Sequence, residues 1–319
     1  MVTVNVPLTS RSFPTTGRIA EDLQIGRDRT IGLVEGRLWR GDHSLLFGDR
    51  RIGKSSIAAA ALARLNTRGV LTIDLDLSQG IRDGETLTAE LLQAAAGAGV
   101  SLTALRAAWA GRRRTVGRAG GGIVAIAEAL RSAGVDDVPE GVVERVVELA
   151  ESTAQPRLEH AFELLHVVRR TKRVVVFIDE AGLMTSWDEC LDIADQIARA
   201  MRRPAGIVFA FAGSHRRAAD ELFGPDGSLH AEGLPVTIEP ISDTEWEGEL
   251  LNRFAANDCM ITVDIVRQLL TLSDGHPQDT MRLSACCLDH ASISGGLIDK
   301  AVLTLAHRDA SSHPSFGRR

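Results

Sequence analysis

The residues whose types and spacing carry most chemistry are Gly48-Asp49-Arg50-Arg51-Ile52-Gly53-Lys54-Ser55. They fit G-x-x-x-x-G-K-[ST], the pattern of a phosphate-binding loop. Glycines let the backbone curl so that successive N–H groups face phosphate oxygens. A helix beginning there adds partial positive charge. On this pattern the whole loop from Gly48 to Ser55, with Ser56 after it, lines a nucleotide. Lys54 reaches the β- and γ-phosphates, and the Ser55 hydroxyl holds Mg2+. The second group is Asp179-Glu180, closing the apolar run Val174 to Ile178. An acid at a strand tip ligates Mg2+ directly or through water. Glu180 beside it is the candidate for polarising a water that attacks the γ-phosphorus. Alone, such a pair reads as a helix start after a core strand; beside a phosphate loop in the same chain, chemistry is the better reading.

Three further positions stay open between a functional and an ordinary role. Ser214 follows an apolar run and either senses the γ-phosphate or caps the helix near Arg216. Arg216 and Arg217 read as surface arginines, with transition-state charge neutralisation, in cis or across an oligomer, as the alternative. His276, in Gly275-His276-Pro277 between two helical segments, either caps or couples those helices to the nucleotide.

Positioning these residues requires strands before the loop and before the acid pair, and the sequence supplies both. Ser44 to Phe47 is a short apolar strand, and Ile57 to Leu65 is rich in Ala and Leu, hence helical. Val70 to Leu75, Val174 to Ile178, Gly206 to Phe211 and Leu234 to Glu239 are four more strands alternating with helices, which predicts a mostly parallel α/β sheet. Helices are expected at 86–97, 101–110, 120–133, 140–153 and 156–170, at 190–201, and within 21–38, where Ile25-Gly26-Arg27-Asp28 interrupts. That many helices between two strands implies an insertion over 80–155. From Asp243 the pattern is purely helical, over 243–256, 263–273, 277–290 and 296–307. The expected division is an arm (1–20), a nucleotide-binding core (21–242), a helical lid (243–308) and a tail (309–319).

Composition sets the limits. The chain has 319 residues, 44% of them apolar and 24% charged, the balance of an ordinary globular protein. Lys54, Lys172 and Lys300 are the only lysines among 36 basic residues, so a compact ammonium stands in the loop of a chain that otherwise uses arginine. The net charge of -6 argues against global nucleic-acid affinity. Arg112-Arg113-Arg114 and Arg118 are its basic cluster, read as a solvated face ahead of a nucleic-acid contact. No secretory signal or membrane-length apolar run stands out, and Cys190, Cys259, Cys286 and Cys287 have no metal-ligand spacing, so a reduced cytoplasm is expected.

Other phosphate-loop classes fit poorly. Thr171-Lys172 is followed by Arg173-Val174, not a guanine motif, and Ser292 to Gly296 lies on the wrong side of Asp179-Glu180 for a transporter signature. The order Gly26-Arg27-Asp28, phosphate loop, Asp179-Glu180, Gly213-Ser214, Gly275-His276-Pro277 resembles the AAA+-related ATPases of the signal-transduction class (STAND), especially the archaeal-type ATPase branch, and their origin-recognition relatives. The resemblance covers about residues 20 to 290. It implies an AAA+-like P-loop NTPase: a five-stranded parallel sheet with a C-terminal helical lid, ATP and Mg2+ as cofactors. It also implies Gly26 and Arg27 near the adenine, Asp179 and Glu180 at Mg2+ and hydrolysis, Ser214 as a sensor, and His276 on the lid. No effector domain is recognisable after the lid, so a partner protein is expected to supply the output.

Three readings follow. The first is an ATP-hydrolysing conformational switch, with a homo-oligomer as an open alternative to a monomer. The second is a regulator of a DNA transaction, ranked lower on charge. The third is a nucleotide-binding scaffold with negligible turnover.

Overall fold

A computed structural model describes residues 12–97, 158–169, 172–203, 206–213, 216–230 and 232–317. The five apolar runs become strands of one sheet: β1 (Ser44–Phe47), β2 (Leu71–Asp76), β3 (Val174–Asp179), β4 (Val208–Ala212) and β5 (Leu234–Thr237). Their order is β2-β3-β4-β1-β5. β3 pairs parallel with β2 from Leu71–Val174 to Asp76–Asp179, and with β4 from Val175–Val208 to Ile178–Phe211. β1 pairs parallel with β4, Ser44 opposite Ala210. Every residue of β3 and β4 is buried, as continuous Val, Ile and Phe runs require when helices cover both faces. This is the expected α/β class, a five-stranded parallel sheet followed by a helical domain.

The helices in chain order are α1 (Asp28–Arg40), α2 (Lys54–Thr67), α3 (Gly84–Gly97), α4 (Leu158–Arg169), α5 (Cys190–Arg202) and α6 (Arg216–Phe223). The expected helix at 21–38 splits into a 3-10 turn (Glu21–Leu23) and α1, because Gly26 adopts φ +62 between them. The helices expected at 101–110, 120–133 and 140–153, with the Arg112 to Arg118 cluster, lie outside the described residues, as does Ser214. Among the described residues no helix is long and apolar enough to cross a membrane.

The chain packs into two compact units. The sheet unit holds residues 34–46 and the described residues between 62 and 236. Here α3 and α4 pack together, with Leu87, Leu91 and Leu165 buried. The bundle unit holds described residues 12–33, 47–61 and 237–317, and so includes the phosphate loop.

In the bundle unit, α7 (Asp243–Ala255), α8 (Val263–Ser273), α9 (Pro277–Ile293) and α10 (Lys300–Ser311) stand at the expected places. Ser242 and Glu245 start α7 with a reciprocal capping box. One expectation is corrected. The region is not purely helical, because Met260–Ile261 (β6) and Leu297–Ile298 (β7) form a two-stranded parallel ladder. Two-residue strands are too short to show a period of two. The core gathers Trp246, Phe254, Leu269, Leu283 and Cys287. Full burial of a side chain of such size is worth about 1.5–3 kcal/mol. Burial also pushes the Cys287 thiol up to about 12, so it is an inert core group, whereas Cys286 is only half-buried.

The arm is docked from Ser12 onward. Phe13 is fully buried with its ring 4.8 Å from that of Phe254. Arg253 donates to the carbonyls of Ser12 (2.9 Å) and Leu23 (2.7 Å).

Candidate functional site

The phosphate loop runs from Gly48 to Gly53, and α2 begins at Lys54. Three of its residues take positive φ: Gly48 (155), Arg51 (64) and Gly53 (107). Gly48 is required twice over. Its φ disfavours any side chain, and a Cβ there would lie 3.1 Å from Ile52 Cγ2 and 3.3 Å from Ile238. Arg51 takes the same backbone region with a side chain, which costs about 1–2 kcal/mol. Lys54 is 5% exposed, and its Nζ donates to the carbonyls of Gly48 (2.9 Å) and Asp49 (2.7 Å). The ammonium therefore lies over the curl of the loop at the first turn of α2, where N–H groups and helix dipole favour an anion. Ser55 is half-buried. The buried Ser56 faces the arm instead: its Oγ accepts from Ile19 N (3.0 Å), and its carbonyl accepts from Gln24 Nε2 (3.0 Å).

Side chains remote in sequence hold this loop within the bundle unit. Arg27 is 5% exposed and donates from Nη2 to Ile52 O (3.0 Å) and from Nη1 to Glu239 O (2.6 Å). Its contribution to the loop is thus through main-chain carbonyls. Burial lowers its pKa from the usual guanidinium value, and the charge of Glu245 opposes that shift. Glu245 itself is held below the ordinary carboxylate range, first by the Ser242 hydroxyl, then by the Ser242 backbone. Gly26 lets the chain pass Glu245 at a distance a side chain would forbid: a Cβ there would be 2.8 Å from Glu245 Cδ.

His276 is the second clamp. It is 6% exposed and stands at the N-cap position of α9 with no side-chain cap bond, Pro277 following in the first turn. Its turn is fixed by Trp246 Nε1, which donates to Gly275 O (3.1 Å). The imidazole Nε2 lies 3.0 Å from Arg50 O. A carbonyl only accepts, so Nε2 carries the proton. The imidazole therefore meets the loop's backbone, at the residue before Arg51.

The sheet unit carries the acids. Asp179 ends β3 and is 4% exposed. Its Oδ1 accepts from Glu180 N (3.0 Å). Glu180 then takes left-handed backbone (φ 50, ψ 39) and opens a 3-10 turn, Ala181–Ser186. A non-glycine residue held there costs about 1–3 kcal/mol and persists only where its surroundings enforce it. The turn explains why 181–189 shows no α-helical period.

No protein-family model matches the sequence, and neither does any curated protein. Solved structures do resemble it. The Walker-type ATPase of Pyrococcus abyssi aligns over 94% of this chain and 75% of that one at 15% identity, with a TM-score of 0.63. The ORC1 protein of Aeropyrum pernix, solved in complex with DNA, aligns over 90% of this chain and 66% of that one at 14% identity, TM-score 0.56. The ORC2 protein of the same organism, in ADPNP and ADP complexes, aligns over 95% and 72% at 13% identity, TM-score 0.56. The fold is that of the AAA+ P-loop ATPases.

Within this AAA+ fold the expected residues sort by unit. Gly26, Arg27, Gly48 to Ser56 and His276 are brought together in the bundle unit, with Arg27 and His276 on loop carbonyls. Asp179 and Glu180 stand in the sheet unit at the end of β3, the strand between β2 and β4. Sequence reasoning missed Gln24, Glu245 and Asp279. Glu245 could have been found from Ser242-x-x-Glu245, a capping box, and Asp279 from its place one turn after His276.

The donor set fits the nucleotide and metal that the sequence implies. The ammonium, the left-handed glycines and the helix N-terminus suit phosphate oxygens. The Ser55 hydroxyl and the Asp179 carboxylate are hard oxygens of the kind Mg2+ selects.

Proposed function

We propose that this protein binds and hydrolyses ATP and uses the nucleotide as a conformational switch, its output delivered through a protein partner. The observation that carries the reading is the loop itself: left-handed Gly48, Arg51 and Gly53, with the buried Lys54 ammonium drawn over the curl at the start of α2. In this role the loop's N–H groups and Lys54 bind and orient the phosphates. On the sequence pattern Ser55 and Asp179 would hold Mg2+, which would neutralise phosphate charge. Glu180 takes a proton from the attacking water, and the left-handed backbone fixes where its carboxylate can point. Arg27 and His276 keep the loop carbonyls turned away from the phosphates, leaving its N–H groups to face them. Ser214 stays a proposed sensor on the argument from sequence alone.

The test is direct. Calorimetric titration with Mg-ATP and a phosphate-release assay on the intact protein should give saturable binding and turnover. No binding at millimolar ATP overturns the proposal, and binding without release leaves a nucleotide-dependent scaffold in its place.

A regulator of DNA transactions is the second reading. It is supported by the likeness to a protein solved with DNA and by two exposed guanidinium groups, Arg68 and Arg173, at 3.5 and 4.3 Å from the Trp39 ring centroid. Arg68 is partly neutralised by Glu35 (2.9 Å), and the chain is net acidic, which ranks this reading lower. Tight duplex binding that weakens steeply with salt would reverse the order.

A further inference from the structure

Beyond the clamps already described, the bundle unit has a segment, 312–317, that touches the phosphate loop. α10 ends at Ser311, and the chain turns sharply. His313 Nδ1 accepts from Ser315 N (3.2 Å) and pairs with Ser315 Oγ (2.8 Å), while His313 O accepts from Phe316 N (3.0 Å). Phe316 packs against the bundle core, its ring 5.8 Å from that of His307. Among the described residues, two side-chain hydrogen bonds join this turn to the loop and to α9. Ser315 O accepts from Arg51 Nη1 (3.2 Å), and Gly317 N donates to Asp279 Oδ2 (3.0 Å).

Those contacts reach the loop directly and the first turn of α9 beside His276. Asp279 is 4% exposed in the first turn of α9, and its Oδ2 lies 3.8 Å from His276 Nδ1. His276 Nε2 donates to Arg50 O, and Arg50 precedes Arg51. Arg51 is thus tied to the segment through its side chain, while Asp279, which holds the segment at Gly317, stands one turn along α9 from His276, the residue that holds Arg50. Neither Asp279 nor the 312–317 segment belongs to the phosphate-loop pattern.

We infer that Arg51 and Asp279 are positioning residues through which the 312–317 segment straps the phosphate loop into its curled shape. This rests on the reading of the loop as a phosphate site. A loop held in shape before the ligand arrives loses less freedom on binding, so the strap raises nucleotide affinity. Arg51 is placed to do this because its left-handed backbone is the least comfortable point of the curl, and a tether on its side chain opposes relaxation there.

Hydrogen exchange on the full-length protein without nucleotide tests the strap by itself. Gly317→Pro removes the N–H that Asp279 accepts and forbids the φ of +69 found there. Arg51→Ala removes the other tie. In each variant the amides of 49–53 should exchange about tenfold faster, as losing a hydrogen bond to a charged group implies, with α7 and α8 unchanged. ATP should bind about tenfold more weakly to Gly317→Pro, a loss that cannot come from a missing phosphate contact because Arg51 is intact. The inference is overturned by unchanged loop exchange in both variants, or by faster exchange spread equally over α7 and α8, which would mean plain destabilisation. A wild-type protein that binds no ATP would sink the phosphate reading instead, and the exchange result would still be readable.

Discussion

The phosphate loop and the turn after β3 meet the same demand in opposite ways. Each places a charged, non-glycine residue in left-handed backbone: Arg51 at φ 64 and Glu180 at φ 50. The loop is held by groups distant in sequence: the side chains of Arg27 and His276, and the Ser315 carbonyl in the turn after α10. The Glu180 turn is held locally, by the buried ladder of β3 between β2 and β4 and by the Asp179 carboxylate beneath it. A loop that must wrap a ligand exposes its backbone N–H groups and so cannot stiffen itself with a ladder. A single carboxylate that must point one way can be mounted on the stiffest strand available.

Variants can break this contrast, and the largest effect is expected at Lys54. Lys54→Ala should abolish ATP binding while circular dichroism and melting stay those of a folded protein. Unchanged affinity would mean that the loop is not a phosphate site. Next is Glu180→Gln, which should keep Mg-ATP and lose turnover by on the order of a hundredfold or more. A wild-type rate would make the Glu180 turn purely architectural.

Arg27→Met comes third and probes the remote supports. It leaves the carbonyls of Ile52 and Glu239 without this donor, at about 1–3 kcal/mol for the buried Ile52 bond and less at the exposed Glu239. Chemical denaturation should report that loss, and ATP affinity should fall with it. If stability drops and affinity does not, the loop does not depend on distant clamps and the comparison fails. The smallest effect compares glycine at the two strained positions. Glu180→Gly should raise stability by about 1 kcal/mol, since relief of backbone strain is the main change. Arg51→Gly relieves the same strain but also loses the Ser315 contact, so its net gain should be smaller. Equal gains would show that the side chain of Arg51 holds nothing.

The contrast also explains what the sequence made legible. Local features came through: the five apolar strands, the loop pattern, the acid pair ending β3, and Pro277 in the first turn of α9. Gly26-Arg27-Asp28 takes its role from family resemblance and Gly275-His276-Pro277 stands out by its place between two helical segments, yet their actual contacts are hidden. Nothing in the neighbourhood of Arg27 says that its nitrogens meet Ile52 O and Glu239 O, which are 25 and 212 positions away. β6 and β7 were missed for the same reason, since two residues acquire strand character only from a partner 37 positions on.

The make-up of the bundle unit has a consequence for synthesis. Its described parts are 12–33, 47–61 and 237–317, so its early and late pieces emerge from the ribosome far apart in time. At about 5–20 residues per second, the stretch from 62 to 317 takes roughly ten to fifty seconds to make. Residues 34–46 and the described residues between 62 and 236 form a unit of their own and can begin to fold in that interval. The phosphate loop must wait for His276 and Ser315, both translated more than two hundred residues after it. A nascent chain therefore carries the complete loop motif long before it owns the contacts that shape it, and on the proposed function nucleotide capture becomes one of the last events of biogenesis.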